Sequence, residues 1–146
     1  MSDAADIRFL EHDADLGFEV AGDDLEHIWD RGARALVAVM TDAELVRPVE
    51  EVVLQVVAPD LTAAWIGSLT ELLVRFEIDG LLLPRVTALA VRQDGTGVWV
   101  RFRARGEVFD PARHPEGTGI KAVTHHSAVL GQERDGRWRG RVLLDL

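Results

Sequence analysis

Glu11, His12, Asp13 and Asp15 place three carboxylates and an imidazole within five residues, directly before the apolar run of residues 16–20. Adjacent carboxylates repel, so the cluster reads either as a solvated turn or as half of a cation site. With no cysteine in the chain, thiolate metal sites, disulfides and cysteine nucleophiles are all excluded. Oxygen donors then point to a hard divalent cation, Mg2+, Ca2+ or Mn2+. The other half of such a site is sought at the chain's last residues, "RVLLDL", which are strand-like up to Leu146. Chain ends ordinarily fray; a paired end would fix the Asp145 carboxylate and the terminal carboxylate of Leu146 side by side. Asp15, Asp145 and Leu146 are the candidate ligands, with His12 able to ligate or orient one of them. A histidine zinc site using His12, His125 or His126 rests on residue type alone.

Fifteen of the sixteen basic residues are arginine, and Lys121 is the one lysine. A compact ammonium, or one able to lose its proton, is what arginine cannot imitate. Other chemistries find little support. There is no Gly-x-Ser-x-Gly elbow and no tyrosine, and "GTGIK" lacks the spacing and the following helix of a phosphate-binding loop. His125 and His126 fall on what reads as a strand, so one is expected buried and the other exposed. Arg101, Arg103 and Arg105 share one strand face, and Arg137, Arg139 and Arg141 share another. Neighbouring strands would merge these rows into a basic patch suited to an acidic protein surface or an RNA backbone.

The elements that must carry these residues follow from periodicity. Short strands are expected at 6–11 and 16–21. The stretch "DDLEHIWDRGARALVAVMTD" forms a helix capped by Asp23 or Asp24, with Leu25, Ile28, Trp29, Leu36, Val39 and Met40 inward. A strand at 50–58 leads through Pro59 and Asp60 to a second helix, whose inward face is Leu61, Trp65, Leu69, Leu72, Leu73 and Phe76. Hairpins follow at 85–93 with 97–106, turning at Asp94-Gly95, and at 120–131 with 137–145. The pattern predicts one α+β domain over residues 1–146: two amphipathic helices on a mixed, largely antiparallel sheet system.

At 146 residues, 47% of them apolar, the chain can bury one substantial core. It contains no apolar run long enough to span a membrane and no recognisable signal peptide, so a cytoplasmic location is expected. The net charge of −9 is uneven. Residues 1–51 carry fourteen acids against four arginines, and residues 52–146 carry eleven acids against twelve bases. The acidic half disfavours general nucleic-acid affinity and favours a cation or a basic protein surface.

Four segments in order resemble the archease family across nearly the whole chain. They are "EHDADLGFEVAGDDLEHIWDRGARALVAVMTD", "APDLTAAWIGSLTELLVRF", "GEVFDPARHPEGTGIKAVTHH" and the hydrophobic-Asp-hydrophobic end. The resemblance implies an accessory protein of the GTP-dependent tRNA-splicing RNA ligase, not an enzyme in its own right. It would promote guanylylation of the ligase and multiple turnover, meeting RNA or GTP only indirectly or through the ligase. Carried over by position, it implies metal binding by Asp15 and Asp145 with an oxygen of Leu146, a functional Lys121, and a role for Asp60 at the opening of the second helix. Asp13 departs from the family's threonine and His125 from its tyrosine, leaving the cation's identity open. The rival reading is a free-standing metal-dependent phosphohydrolase or nucleotide-binding enzyme using the same acids.

Overall fold

A computed structural model describes residues 6–12 and 15–146 of the chain. Two antiparallel sheets hold two helices between them. The first sheet contains β1 (Ile7–His12), β2 (Asp15–Gly22), β7 (Trp138–Asp145) and β6 (Ala122–Gln132), in the order β1-β2-β7-β6. The second contains β3 (Glu50–Ala58), β5 (Gly97–Val108) and β4 (Leu81–Asp94), in the order β3-β5-β4. Every pairing among the described residues is antiparallel, narrower than the mixed system expected. Helix α1 (Leu25–Met40) packs against β4 and β2, and α2 (Leu61–Asp79) against β6 and β3, so each helix bridges both sheets.

The helices start where short polar side chains can accept their free amides. Asp24 accepts from the His27 N–H and Asp60 from the Ala63 N–H, at 2.9 and 2.8 Å, each satisfying an amide that has no partner within its helix. Helix α2 ends at Gly80, whose φ of 71° is left-handed and favours glycine. Helix α1 buries Ile28, Trp29, Leu36, Val39 and Met40 as its periodicity predicts, while Leu25 stays partly exposed. On β5, Val98, Val100, Phe102 and Ala104 all turn inward.

Trp65 of α2 is fully buried against the first sheet, with Phe18 edge-on at 6.3 Å. Room for its indole comes from Gly140 on β7, where a Cβ would lie 2.7 Å from the ring. The free edge of β4 is closed by α1. Asp30 accepts from the Val86 N–H at 2.8 Å and Glu26 from the Leu89 N–H at 3.0 Å. These contacts fall around a register shift with Ala88 at φ 56°. Carboxylates thus occupy amides that would otherwise template another strand.

Candidate functional site

Three of the predicted residues meet at one end of the first sheet. Strand β2 begins at Asp15 and β7 ends at Asp145. The register pairs Leu16 with Leu144, so Asp15 and Asp145 are the next residues out on adjoining antiparallel strands. Facing residues in such a pair share one side of the sheet, with Cβ atoms about 5 Å apart, and like charges there are destabilising. Val142 and Leu144 point into the core, and the alternation of β7 turns Asp145 outward, where it is exposed. Asp15 is half-buried. Neither carboxylate has a basic partner among the described residues. The backbone of His12 pairs with Asp15; the His12 side chain and Asp13 lie outside the described residues. Leu146 follows directly, its side chain partly buried against the core.

Lys121 is brought to the same end from β6. Its amide donates to the Asp145 carbonyl at 2.7 Å, and Ala122 pairs with Asp145. Its side chain is exposed and makes no ion pair among the described residues. The segment leading to it is tied across the end of α1. The Gly117 and Thr118 amides donate to the Met40 and Val39 carbonyls at 2.8 and 2.9 Å, and the Thr41 hydroxyl donates to the Pro115 carbonyl at 2.6 Å. A cavity of about 420 Å³ opens beside this strap, lined chiefly by Met40, Leu73, Phe76, Phe109 and Ile120.

The root of the strap is a buried ionic cluster that sequence reasoning missed. Glu107 on β5 and His114 are 6% and 1% exposed. His114 accepts from the Asp110 N–H through Nδ1, so its Nε2–H donates to Glu107, at 2.8 and 2.9 Å respectively. Glu107 also accepts from the Arg47 amide at 2.8 Å and from the Arg113 guanidinium at 2.9 Å. Burial alone would push the Glu107 carboxyl up. The Arg47 amide, Arg113 and His114 outweigh it and hold the group down at about 2. Alternation along β5 offered no clue, since Gly106 and Glu107 are both buried. The sequence signal for the cluster is the "GEVFDPARHP" stretch, which holds Glu107, Arg113 and His114 within eight residues.

The remaining candidates lie elsewhere or behave differently. Asp60 caps α2 and lines a shallow hollow with His125 and Leu130. His125 and His126 are both exposed, contrary to the alternation expected. A bulge between Thr124 and Val129, with Ser127 at φ 57°, breaks the two-residue period there. The two arginine rows do not merge, because β5 and β7 belong to different sheets. No group of three histidine or carboxylate side chains assembles among the described residues, and no helix there is long and apolar enough to cross a membrane.

This architecture defines an α+β domain that displays charge at a sheet end, with a lysine strapped beside two strand-terminal aspartates. The profile described as "Archease protein family (MTH1598/TM1083)" matches residues 8–146. A "Protein archease" of Methanopyrus kandleri is 39% identical over 137 residues, covering 94% of this chain and 96% of the relative. The solution structure of Methanobacterium thermoautotrophicum protein 1598 superposes with a TM-score of 0.77 at 28% identity, covering 97% of this chain and 99% of that one. The crystal structure of a Thermotoga maritima archease, described as a possible chaperone, shares the fold with a TM-score of 0.59 at 18% identity, covering 94% of each chain. The chain belongs to the archease family.

Proposed function

We propose that this protein is an accessory factor of a GTP-dependent tRNA-splicing RNA ligase, promoting guanylylation and repeated turnover without catalysing a reaction itself. The observation that carries the site assignment is the register of β2 and β7, which draws Asp15 and Asp145 to one sheet end beside Lys121. Two carboxylates with no basic partner among the described residues suit a hard cation that takes its remaining ligands from water or phosphate. Asp15 and Asp145 would hold it, with an oxygen of Leu146 as a third donor. Bound there, Ca2+, Mg2+ or Mn2+ supplies positive charge for phosphate oxygens at the ligase's nucleotide site. Lys121 offers a point charge for a phosphate or for a ligase carboxylate. Asp60 stands as a second contact on the same partner.

The test is multiple-turnover RNA ligation by the cognate ligase with GTP and divalent metal, with and without this protein. A large gain in turnover that falls in Asp15→Ala and Asp145→Ala supports the reading. Unchanged stimulation in Asp15→Ala removes the metal from it, and wild-type behaviour of Lys121→Arg removes the special role of the lysine. No gain at any ratio, together with phosphate-ester turnover by the protein alone, would return the acids to the metal-enzyme reading.

A further inference from the structure

The outer face of the second sheet carries a basic surface that the acidic site does not use. Facing residues of antiparallel strands share a side of the sheet, and the registers of β3, β5 and β4 align four rows there. They are Glu51–Arg105–Arg85, Val53–Arg103–Thr87, Gln55–Arg101–Ala90 and Val57–Trp99–Arg92. Five arginines thus face one acid in a protein of net charge −9. The end row is compensated: Arg105 pairs with Glu51 at 2.9 Å, and Arg85 pairs with Asp30 of α1 at 3.2 Å. The middle is not. Arg101 and Arg103 are exposed and have no acidic partner among the described residues. Arg92 lies over the half-buried Trp99 ring at 5.1 Å. Val57 and Val53 beside them are 74% and 49% exposed.

The arginine row of the first sheet contrasts with this. There Arg137 pairs with Asp6 and Asp23, and Arg139 with Glu133 and Glu19, so most of that charge is already spoken for. Two rows of similar sequence have therefore been treated differently by the fold: one is neutralised, the other left open around an aromatic.

We infer that the Trp99 face of the second sheet, through Arg92, Arg101 and Arg103, binds single-stranded RNA. Alternate residues on a strand stand about 6.7 Å apart, a spacing that lets successive phosphates of an extended strand meet Arg103 and Arg101 in turn. The Trp99–Arg92 stack is a flat, π-rich platform on which a base can lie. A polynucleotide satisfies both features together, whereas an acidic peptide satisfies only the arginines. The choice of RNA over DNA rests on the ligase reading above; the charge argument does not. The surface therefore adds a direct RNA contact where only an indirect one was expected.

The experiment is fluorescence anisotropy of a labelled single-stranded RNA dodecamer with the whole protein and no ligase, from low to moderate salt. Arg101 and Arg103 on successive phosphates, with the Arg92 charge beside the stacked base counted as a third neutralising contact, predict weak binding whose logarithm falls with log salt at a slope of about −2. Arg101→Ala/Arg103→Ala should weaken binding at least tenfold at about 50 mM salt and flatten the slope to about −0.7. The Lys double variant at the same positions should keep the slope, and Arg141→Ala on the other sheet should bind as wild type. Absence of binding at low salt, or binding indifferent to Arg101 and Arg103, overturns the inference. Equal affinity for single-stranded DNA overturns the assignment to RNA, and displacement by a polyglutamate peptide at equal charge assigns the face to an acidic protein instead. Because the ligase is absent, failure here leaves the ligation test untouched, and failure there leaves this one.

Discussion

Replacing Glu107 with glutamine should expose how the strap that carries Lys121 is held. Glu107 accepts at every contact: from the Arg47 amide, Arg113 and His114 Nε2–H. A glutamine amide must point its NH2 at one of these donors. His114 cannot relieve the clash by moving its proton to Nδ1, because that atom already accepts from the Asp110 N–H. A buried donor facing a donor, with the arginine charge left uncompensated, costs about 3–5 kcal/mol. For a domain of this size that lowers the melting temperature by roughly 10 °C.

The wild-type carboxyl is also depressed, from 4.5 to about 2, and its side chain is only 8% exposed, so solvent screens its partners little. Each pKa unit corresponds to about 1.4 kcal/mol, giving about 3 kcal/mol in all. A carboxyl whose folded pKa is depressed contributes stability above its unfolded value and loses it as pH falls towards the folded one. The contribution is therefore complete above about pH 5, has dropped by about 2 kcal/mol at pH 3, and is nearly gone at pH 2. Urea denaturation of wild type and Glu107→Gln at pH 7, 5 and 3 isolates this group, since other carboxylates titrate alike in both. The stability gap should be unchanged between pH 7 and 5 and should narrow by about 2 kcal/mol at pH 3. A gap of constant size across that range would refute the account of how Glu107 is held.

Three further outcomes follow from the same geometry. Gly140→Ala drives a methyl into the Trp65 ring, with its Cβ 2.7 Å from the indole; overpacking of this kind should cost about 1–3 kcal/mol in denaturant melts. Asp60→Asn should keep the α2 cap and wild-type stability, while Asp60→Ala loses about 1 kcal/mol; if both stimulate the ligase fully, Asp60 is a cap and nothing more. Asp145→Asn should raise stability in chelator by a few tenths of a kcal/mol as repulsion with Asp15 is relieved; if the proposed cation site is real, millimolar divalent metal should raise the melting temperature of the wild type and not that of the variant.

Local rules made most of the elements legible. Asp24 and Asp60 read as caps because a short acceptor stands directly before an apolar helical period. Trp29, Leu36 and Met40 read as core for the same reason. The acidic pair was legible too, from the repulsion of Asp15's neighbours and the apolar end around Asp145, although neither spacing nor charge says that β2 lies beside β7. What stayed hidden depends on register. The first residues of β4, Leu81–Leu83, are an unbroken apolar run ending at Pro84, which alternation cannot claim as strand. The bulge at 125–128 exposes both histidines, and only the partner strand reveals it. The sorting of Arg101 and Arg139 onto different sheets is a topological fact with no local signature. Glu107 and His114 were missed because a charged residue in a strand is read outward by default, and only its three donors make burial tolerable.

Strand ends are a demanding place to put two aspartates. In a loop, facing carboxylates swing apart into water at little cost; on β2 and β7 the paired Leu16 and Leu144 hold their backbones in one register. The Lys121 amide bound to the Asp145 carbonyl and the strap tied to α1 add further restraint. On the reading proposed above, the repulsion is relieved when positive charge arrives from outside. A half-site held open in this way has already met the ordering cost of binding. Its affinity for a cation, or for a cationic surface of a partner, then depends on groups supplied from outside the chain, which is the behaviour expected of an accessory protein that works at another protein's site.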